Sequence, residues 1–569
     1  MPTRTAPAPG KAPLPARNAA ALLRRNGTDA AVSVRPAIRA GDDVFTHSDL
    51  LDAGRRRAGL FRKRLRPDAP PHVGVLLDNI PEYLFTFAGA ALAGAAVVGL
   101  NHTRRGEHLL RDVSHTDCQL LITEPRHRSL LEPIADRLPP VLVVGSSLGA
   151  ALAETTPLPT DAPEPDVSTT WALIFTSGTS TAPKAVICSH RRLLVTGARM
   201  QVHLGIGPED VGYICMPLFH SNALMVVWMP SLVAGASVAL APRFSTSAWL
   251  GDVRRYGATW FGYTGKPLSF LMATPERPDD ADNPLRIAFG NEGSPQVVSG
   301  FARRFGLDVV EAFGATEGAV GVAREPDMPV GSVGRVTPNV KVVDDAGVER
   351  ERARFDATGA LTNAADCVGE IVNTDGSGPF EGYYGNDEAN ERALRFGWYW
   401  SGDLGYVTGE GWLFFAGRTG DWIRVDGENF PAGPIADALA RHADVVVAAA
   451  YGVPDADAGD QVMAALQWRP GADPFDGAAF AAWLDSQPDV GPKWRPRYLR
   501  LAGELPTTGT NKVVVRDLMR QKWRRDLVGG DEVWLRDRGD AVYRPFAAAD
   551  EKALRRAMEA AGRARFWEL

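Results

Sequence analysis

Short continuous apolar runs recur through the first half of the chain: His72–Leu77, Gln119–Thr123, Pro140–Val144, Ala172–Thr176 and Ser237–Ala241. Runs this short, apolar on successive residues, predict strands covered on both faces, as in parallel sheets. Between them lie stretches with helical spacing, such as Ala248–Tyr256 and Val297–Phe305. Strand alternating with helix predicts an α/β architecture. The pattern changes over Gly369–Val372 and Trp398–Phe415, where aromatic residues alternate between Gly and Asp turns, as in antiparallel strands. Beyond the short stretch Gly417–Gly427, a helix (Pro434–Arg441), a strand (Val445–Ala450), more helix and a proline-rich turn predict a smaller α+β lobe. The expected division is a loose leader over 1–20, a large domain of several subdomains over 21–417, and a small C-terminal domain over 418–569. No internal repeat is found.

The chain has 569 residues, more than one core accommodates. It is 45% hydrophobic and 23% charged, with a net charge of −6, so no global basic character points to nucleic acid. Its four cysteines are scattered, which indicates neither a zinc site nor a disulfide framework and fits a reducing cytoplasm. The leader lacks the apolar core of an export signal. The run Leu84–Leu100 is rich in Ala and Gly and falls short of the ~20 strongly apolar residues a membrane span needs. It predicts a buried helix followed by a strand. The basic run Arg55–Arg66 reads as a solvated helix face, with contact to anionic lipid as the sharper alternative.

The strongest chemical signal lies at Trp171–Lys184, where an apolar strand enters a loop of small and hydroxyl residues closed by a lysine. Gly178 lets the backbone approach a polyanion. Thr176, Ser177, Thr179, Ser180 and Thr181 offer donors, successive N–H groups can form an anion nest, and Lys184 adds a point charge. A plain polar turn would not need this composition. The spacing is not that of a P-loop nucleotidase.

This loop resembles the T-S-G-[ST]-[TS]-G-x-P-K-G signature of the adenylate-forming superfamily, which includes acyl-CoA synthetases, with Thr181 and Ala185 where glycines are usual. Further segments are similar to that family's motifs in the same order: Met216–His220, Glu311–Glu317, Trp400–Asp403, Gly417–Gly427 and Leu505–Lys512. Read singly, each has a plainer account: a packed histidine, a surface turn, a β-turn, an exposed lysine. Gly427-Glu428-Asn429, Phe261–Gly265 and Val542–Phe546 are closer to the very-long-chain acyl-CoA synthetase or fatty acid transport protein branch, although Lys266 and Glu292 depart from its pattern.

The resemblance implies a reaction and a set of roles. A carboxylic acid is activated by ATP and Mg²⁺ to an acyl-adenylate and passed to coenzyme A. Thr176, Ser177, Gly178, Thr179, Ser180 and Lys184 would hold phosphates, Phe313 and Gly314 the adenine, and Asp403 and Arg418 the ribose. Thr316 would bond a phosphate, Glu317 would hold Mg²⁺, His220 would line the carboxylate end of the acyl pocket, and Lys512 would reach the reacting oxygens. Gly420 falls at the hinge and Gly427 on the coenzyme A side. The acid should be fatty or similarly apolar, with Trp260, Phe261, Tyr263, Leu268 and Phe270 as a candidate pocket wall or, equally, ordinary core. Acid and coenzyme A are the expected partners, with peripheral membrane contact and a homodimer as further candidates. Transfer to a carrier protein, for which the polar stretch Arg352–Asp366 is suggestive, and non-catalytic acyl binding are the rival functions. No Ser-His-Asp pattern or metal-spaced histidine pair suggests a hydrolase or zinc enzyme.

Overall fold

Two mostly parallel sheets carry the expected apolar runs. In the first, the strands are ordered Val141–Val143, Cys118–Thr123, His72–Leu76, Ala96–Gly99, Thr170–Thr176 and Lys184–Ser189. All neighbours are parallel except the last pair, which folds back with Thr176 opposite Lys184. In the second, the order is Asp308–Glu311, Ile287–Asn291, Trp260–Thr264, Val211–Ile214, Ser237–Leu240, Pro36–Ala40 and Asp43–Thr46. The computed structural model describes residues 14–176, 184–264, 267–291, 293, 295–323, 325, 328–329, 331–356, 361–418, 422–425, 428–456, 460–487, 490–508, 512–537, 539–561, 563–564 and 567.

One large apolar cluster joins these two sheets. Trp171 of the first sheet, Phe87 of helix Pro81–Ala93 and Trp228 of the π-helix Asn222–Trp228 interlock, with ring centroids 5.4–5.9 Å apart. The run Leu84–Leu100 is therefore a buried helix followed by the strand Ala96–Gly99, as its composition predicts. No helix among the described residues is long and apolar enough to cross a membrane.

The third sheet is antiparallel and contains Gly369–Asn373, Trp398–Val407 and Trp412–Arg418. Within the polar stretch Arg352–Asp366, Ala353 is bridged to Thr408 and Phe355 to Leu361. The C-terminal sheet runs Val445–Pro454, Asp460–Trp468, Tyr498–Ala502, Glu532–Leu535 and Arg544–Pro545. It has apolar clusters of its own, giving the smaller α+β domain.

Two expectations need correction. The leader over 1–20 is not loose to its end. Helix Ala19–Thr28 begins inside it, capped by Asn18, with Ala19 and Ala20 fully buried. Glu164 accepts from Arg17 and Asn18, tying the start of the helix to a distant loop. The basic run is not a wholly solvated face. Within helix His47–Arg64, Arg57 is buried, ion-paired to Glu82 and lies over the Phe85 ring, and Arg55 donates to Leu158 O. Arg56, Arg62, Lys63 and Arg64 remain exposed. Of the two readings of the aromatic group near Trp260, ordinary core holds for Trp260, Phe261 and Tyr263, all fully buried. Phe261 packs on Trp249 and Phe301 between sheet and helix, whereas Phe270 packs against the C-terminal domain.

Candidate active site

Lys184 opens its strand at the mouth of the expected phosphate loop, and its Nζ lies 4.9 Å from the centre of the Tyr383 ring. Tyr383 is placed by backbone bonds. Ile187 N–H donates to Gly382 O (3.0 Å), and Tyr384 N–H donates to Ala185 O (2.8 Å). Glu381 fastens the other end of that strand, accepting from Ser189 N–H (2.7 Å) and Ser189 Oγ (2.5 Å).

The Tyr383 hydroxyl donates to Glu317 Oε1 at 2.8 Å. Glu317 is only 8% exposed, so its carboxylate is an acceptor largely removed from water. Arg192, from the helix His190–Leu204, donates to the carbonyl oxygens of Thr316 and Glu317. The Thr316 hydroxyl shares a 2.9 Å hydrogen bond with Ser221 Oγ. Lys184, Thr316 and Glu317 are thus brought into one network.

A cleft alongside this network is lined by Phe313, Gly314, Ala315, Ala319, Val320, Tyr399, Ser401 and Asp403. Phe313 leans toward Phe415 at 6.1 Å, and Asp403 is mostly buried. The ladder places Asp403 opposite Arg418. An aromatic plane and a carboxylate on one cleft can stack a base and accept from paired hydroxyls.

His220 follows Phe219, its ring 4.5 Å away, immediately before the π-helix. Its enclosed Nε2 has no hydrogen-bond partner among the described residues. Burial, reinforced by the charges of Lys512 and His102, pushes the imidazole down to about 3, so it is neutral at physiological pH. Lys512 belongs to the C-terminal domain. Its backbone is pinned by Thr508, whose N–H donates to Lys512 O (2.7 Å) and whose Oγ1 accepts from Lys512 N–H (3.2 Å). Arg469 donates to Ala273 O across the domains at 3.4 Å. The docked C-terminal domain therefore brings Lys512 into electrostatic range of His220.

Ser177, Gly178, Thr179, Ser180, Gly420 and Gly427 lie outside the described residues. Sequence reasoning missed Tyr383, Ser221 and Arg192. The signals available were weak: an aromatic pair between glycines at Gly382–Gly385, and a serine directly after His220.

The chain was compared with known proteins. Residues 24–384 match the family described as AMP-binding enzyme, and residues 435–512 match the AMP-binding enzyme C-terminal domain. The chain is 44% identical over 556 residues to a steroid-22-oyl-CoA synthetase of Rhodococcus jostii (strain RHA1), spanning 96% of this chain and 98% of that one. It is 44% identical over 502 residues to a medium/long-chain-fatty-acid–CoA ligase of Mycobacterium marinum (strain ATCC BAA-535 / M), spanning 87% and 95%. The crystal structure of an anthranilate CoA ligase in complex with anthranoyl-AMP shares the fold, with a TM-score of 0.78 at 21% identity, over 89% of this chain and 97% of that one. The chain belongs to the AMP-binding, adenylate-forming enzyme family and is an AMP-forming acid–thiol ligase, an acyl-CoA synthetase using ATP and coenzyme A.

Proposed function

We propose that the enzyme activates an apolar carboxylic acid, of the kind offered by a steroid side chain or a medium- to long-chain fatty acid, and that the residues above carry both half-reactions. What carries the assignment of roles is the network of Lys184, Tyr383 and Glu317 beside the cleft lined by Phe313 and Asp403, with the charge of Lys512 felt at His220 from the C-terminal domain. A binding protein has no need of a lysine brought to the carboxylate end of its pocket.

In the first half-reaction a carboxylate oxygen of the acid attacks the α-phosphorus of ATP, and the bond to pyrophosphate breaks. No protein nucleophile is required; the task is in-line placement and neutralisation of charge. Lys184 and the loop Thr176–Ser180 serve the β- and γ-phosphates, and Lys512 the oxygens between acyl carbon and α-phosphorus. A preorganised donor of this kind contributes roughly 3–4 kcal/mol, or about 10²–10³-fold in rate. Thr316 bonds a phosphate oxygen, Phe313 and Gly314 flank the adenine, and Asp403 with Arg418 takes the ribose hydroxyls. A neutral His220 packs against the acyl carboxylate without adding charge.

Glu317 suits Mg²⁺: it is a hard oxygen donor with Oε1 oriented by Tyr383. Bound there, the ion would neutralise phosphate charge. In the second half-reaction the thiolate of coenzyme A attacks the acyl carbonyl and AMP leaves. Lys512 must then withdraw, by rotation of the small domain about Gly420 at a boundary we place between 417 and 418, with Gly427 moving to the coenzyme A side. The exposed arginines of helix His47–Arg64 are proposed to touch anionic lipid, which salt-dependent sedimentation with liposomes tests.

The deciding experiment is pyrophosphate release with ATP, Mg²⁺ and a panel of sterol-side-chain, fatty and aromatic acids, with and without coenzyme A. Release that needs an apolar acid and turns over only with coenzyme A supports the proposal. A single turnover indifferent to coenzyme A would instead favour a carrier-protein acceptor, and silence with every acid would sink the assigned roles.

A further inference from the structure

Away from the residues assigned to the reaction, the described residues hold one group of imidazoles and a carboxylate whose ligand atoms converge: Asp78, His102 and His127, all within 4.8 Å of one another. They follow three strands that lie side by side in the first sheet: His72–Leu76, Ala96–Gly99 and Cys118–Thr123. All three leave the same, carboxyl end of that sheet, because the strands are parallel. Ligands of open α/β sheets gather at that end.

The Asp78 carboxylate divides its work. Oδ2 is ion-paired with Arg126. Oδ1 accepts from His127 Nε2 at 2.8 Å and faces His102 Nε2 at 3.8 Å. The second distance is too long for a hydrogen bond. The two imidazoles stand parallel, 5.0 Å between centroids and 7° between planes, each presenting Nε2 to the same oxygen. The Asp78 side chain is 5% exposed, His127 10% and His102 26%, so His102 forms the lip of the group. Glu124 braces it, its Oε1 accepting from Asp78 N–H at 2.6 Å and lying 3.4 Å from His127 Nε2.

Magnitudes favour an ion over a second hydrogen bond. Zinc binds imidazole and carboxylate at about 2.0–2.2 Å, so two donors on one ion stand about 3.4 Å apart in a tetrahedron and at most about 4.2 Å apart. The 3.8 Å gap already falls in that range, the 2.8 Å pair must open by about half an ångström, and the two Nε2 atoms, within 4.8 Å of one another, must also come inside it. Two imidazoles and one carboxylate suit a borderline transition ion; Mg²⁺ prefers an all-oxygen octahedron. Arg126 holds Oδ2 and so leaves Oδ1 as the single ligating oxygen, the kind of outer contact that orients a metal ligand.

We propose that Asp78, His102 and His127 form a binding site for one borderline divalent transition ion such as Zn²⁺, separate from the nucleotide site. His102, 26% exposed, is the ligand through which an ion would enter from solvent. The site lies one ring from the reaction: His102 meets Phe219 edge-on at 5.4 Å, and Phe219 abuts His220. An ion there would fix the wall behind His220.

The test uses the full-length enzyme freed of metal by chelator, without ATP, titrated with Zn²⁺ in a calorimeter, and with Co²⁺ in a visible spectrometer. We expect one Zn²⁺ per chain, weakened at least tenfold in His102→Ala and in His127→Ala, and a Co²⁺ ligand-field band that His102→Ala removes. His102→Ala is the safer variant because its side chain is partly exposed, and circular dichroism checks its fold. Absence of Zn²⁺ binding by the native chain overturns the proposal, as does binding that His102→Ala leaves unchanged.

Discussion

Glu317 is largely buried, and the phenol of Tyr383 donates to one of its oxygens while Lys184 lies over the same ring. Hydrogen bonds to a charged group are worth about 1.5–3 kcal/mol. Tyr383→Phe keeps the ring, and with it the contact to Lys184, but leaves Glu317 free to turn. We therefore expect acid-dependent pyrophosphate release to fall about 10- to 100-fold, with half-saturation by Mg²⁺ moving to higher concentration and the melting temperature little changed. An unaltered Mg²⁺ requirement would show that Tyr383 does not orient Glu317. The sequence makes Lys184 legible from its hydroxyl-rich loop alone, and Glu317, Asp403 and Lys512 because their segments follow that loop in the order of the family's motifs. Tyr383 has no such company. A tyrosine between glycines has many plain explanations, and only the pairing of strand Lys184–Ser189 with the loop before it selects this one. The hydroxyl-rich phosphate loop was legible in composition, while its residues 177–183 lie outside the described residues.

Elements built from continuous apolar runs were easy to foresee, since a buried parallel strand leaves little choice of residue. Those held by distant polar contacts were not. Helix Ala19–Thr28 is such a case, because His190 Nδ1 accepts from the Ala19 N–H, one of the donors a helix start leaves unpaired. That acceptor requires a neutral ring with its proton on Nε2. Burial depresses His190 to about 4, against a weaker upward pull from Asp166. The unfolded chain takes up this proton near pH 6.5 and the folded chain only near 4, so between those values the unfolded state binds more protons. Stability is thus fully present above about 6.5 and is lost as pH falls toward 4, by roughly 3 kcal/mol from this group alone. Urea midpoints followed from pH 7 to pH 4.5 should decline less steeply in His190→Gln than in the native enzyme; equal slopes would remove His190 from the account. The strands Trp260–Thr264 and Ile287–Asn291 make a second test. A Cβ on Gly290 would stand 2.3 Å from Tyr263 O, a backbone atom that cannot swing aside. Gly290→Ala should cost about 1–3 kcal/mol by denaturant titration, and a cost near zero would mean that the strands part more readily than their packing implies.

At the scale of the molecule, the proposed mechanism needs the small domain held for the first half-reaction and released for the second. Phe270 and Ala273, at the end of helix Pro267–Met272 and just beyond it, pack on the C-terminal cluster that includes Leu505 and Leu518. Leu505 begins the turn that carries Lys512. The aromatic cluster near Trp260 suggested an acyl pocket, and composition alone could not separate pocket, core and interface, because all three want the same side chains. Only the fold assigns Phe261 to the core and Phe270 to the domain contact. Among the described residues this apolar contact is joined by the hydrogen bond from Arg469 to Ala273 O, and interfaces between domains of one chain commonly open. Shortening Phe270 should weaken docking in the arrangement that presents Lys512 to His220, while leaving the alternative placement of the domain untouched. Phe270→Ala is expected to slow acid-dependent pyrophosphate exchange several-fold. Thioester formation from supplied acyl-adenylate and coenzyme A, which proceeds with Lys512 withdrawn, should be unchanged or faster. Measuring the two half-reactions separately on the same preparation distinguishes this from general damage: a variant merely misfolded loses both in proportion, and equal loss would show that Phe270 plays no part in choosing between the two arrangements.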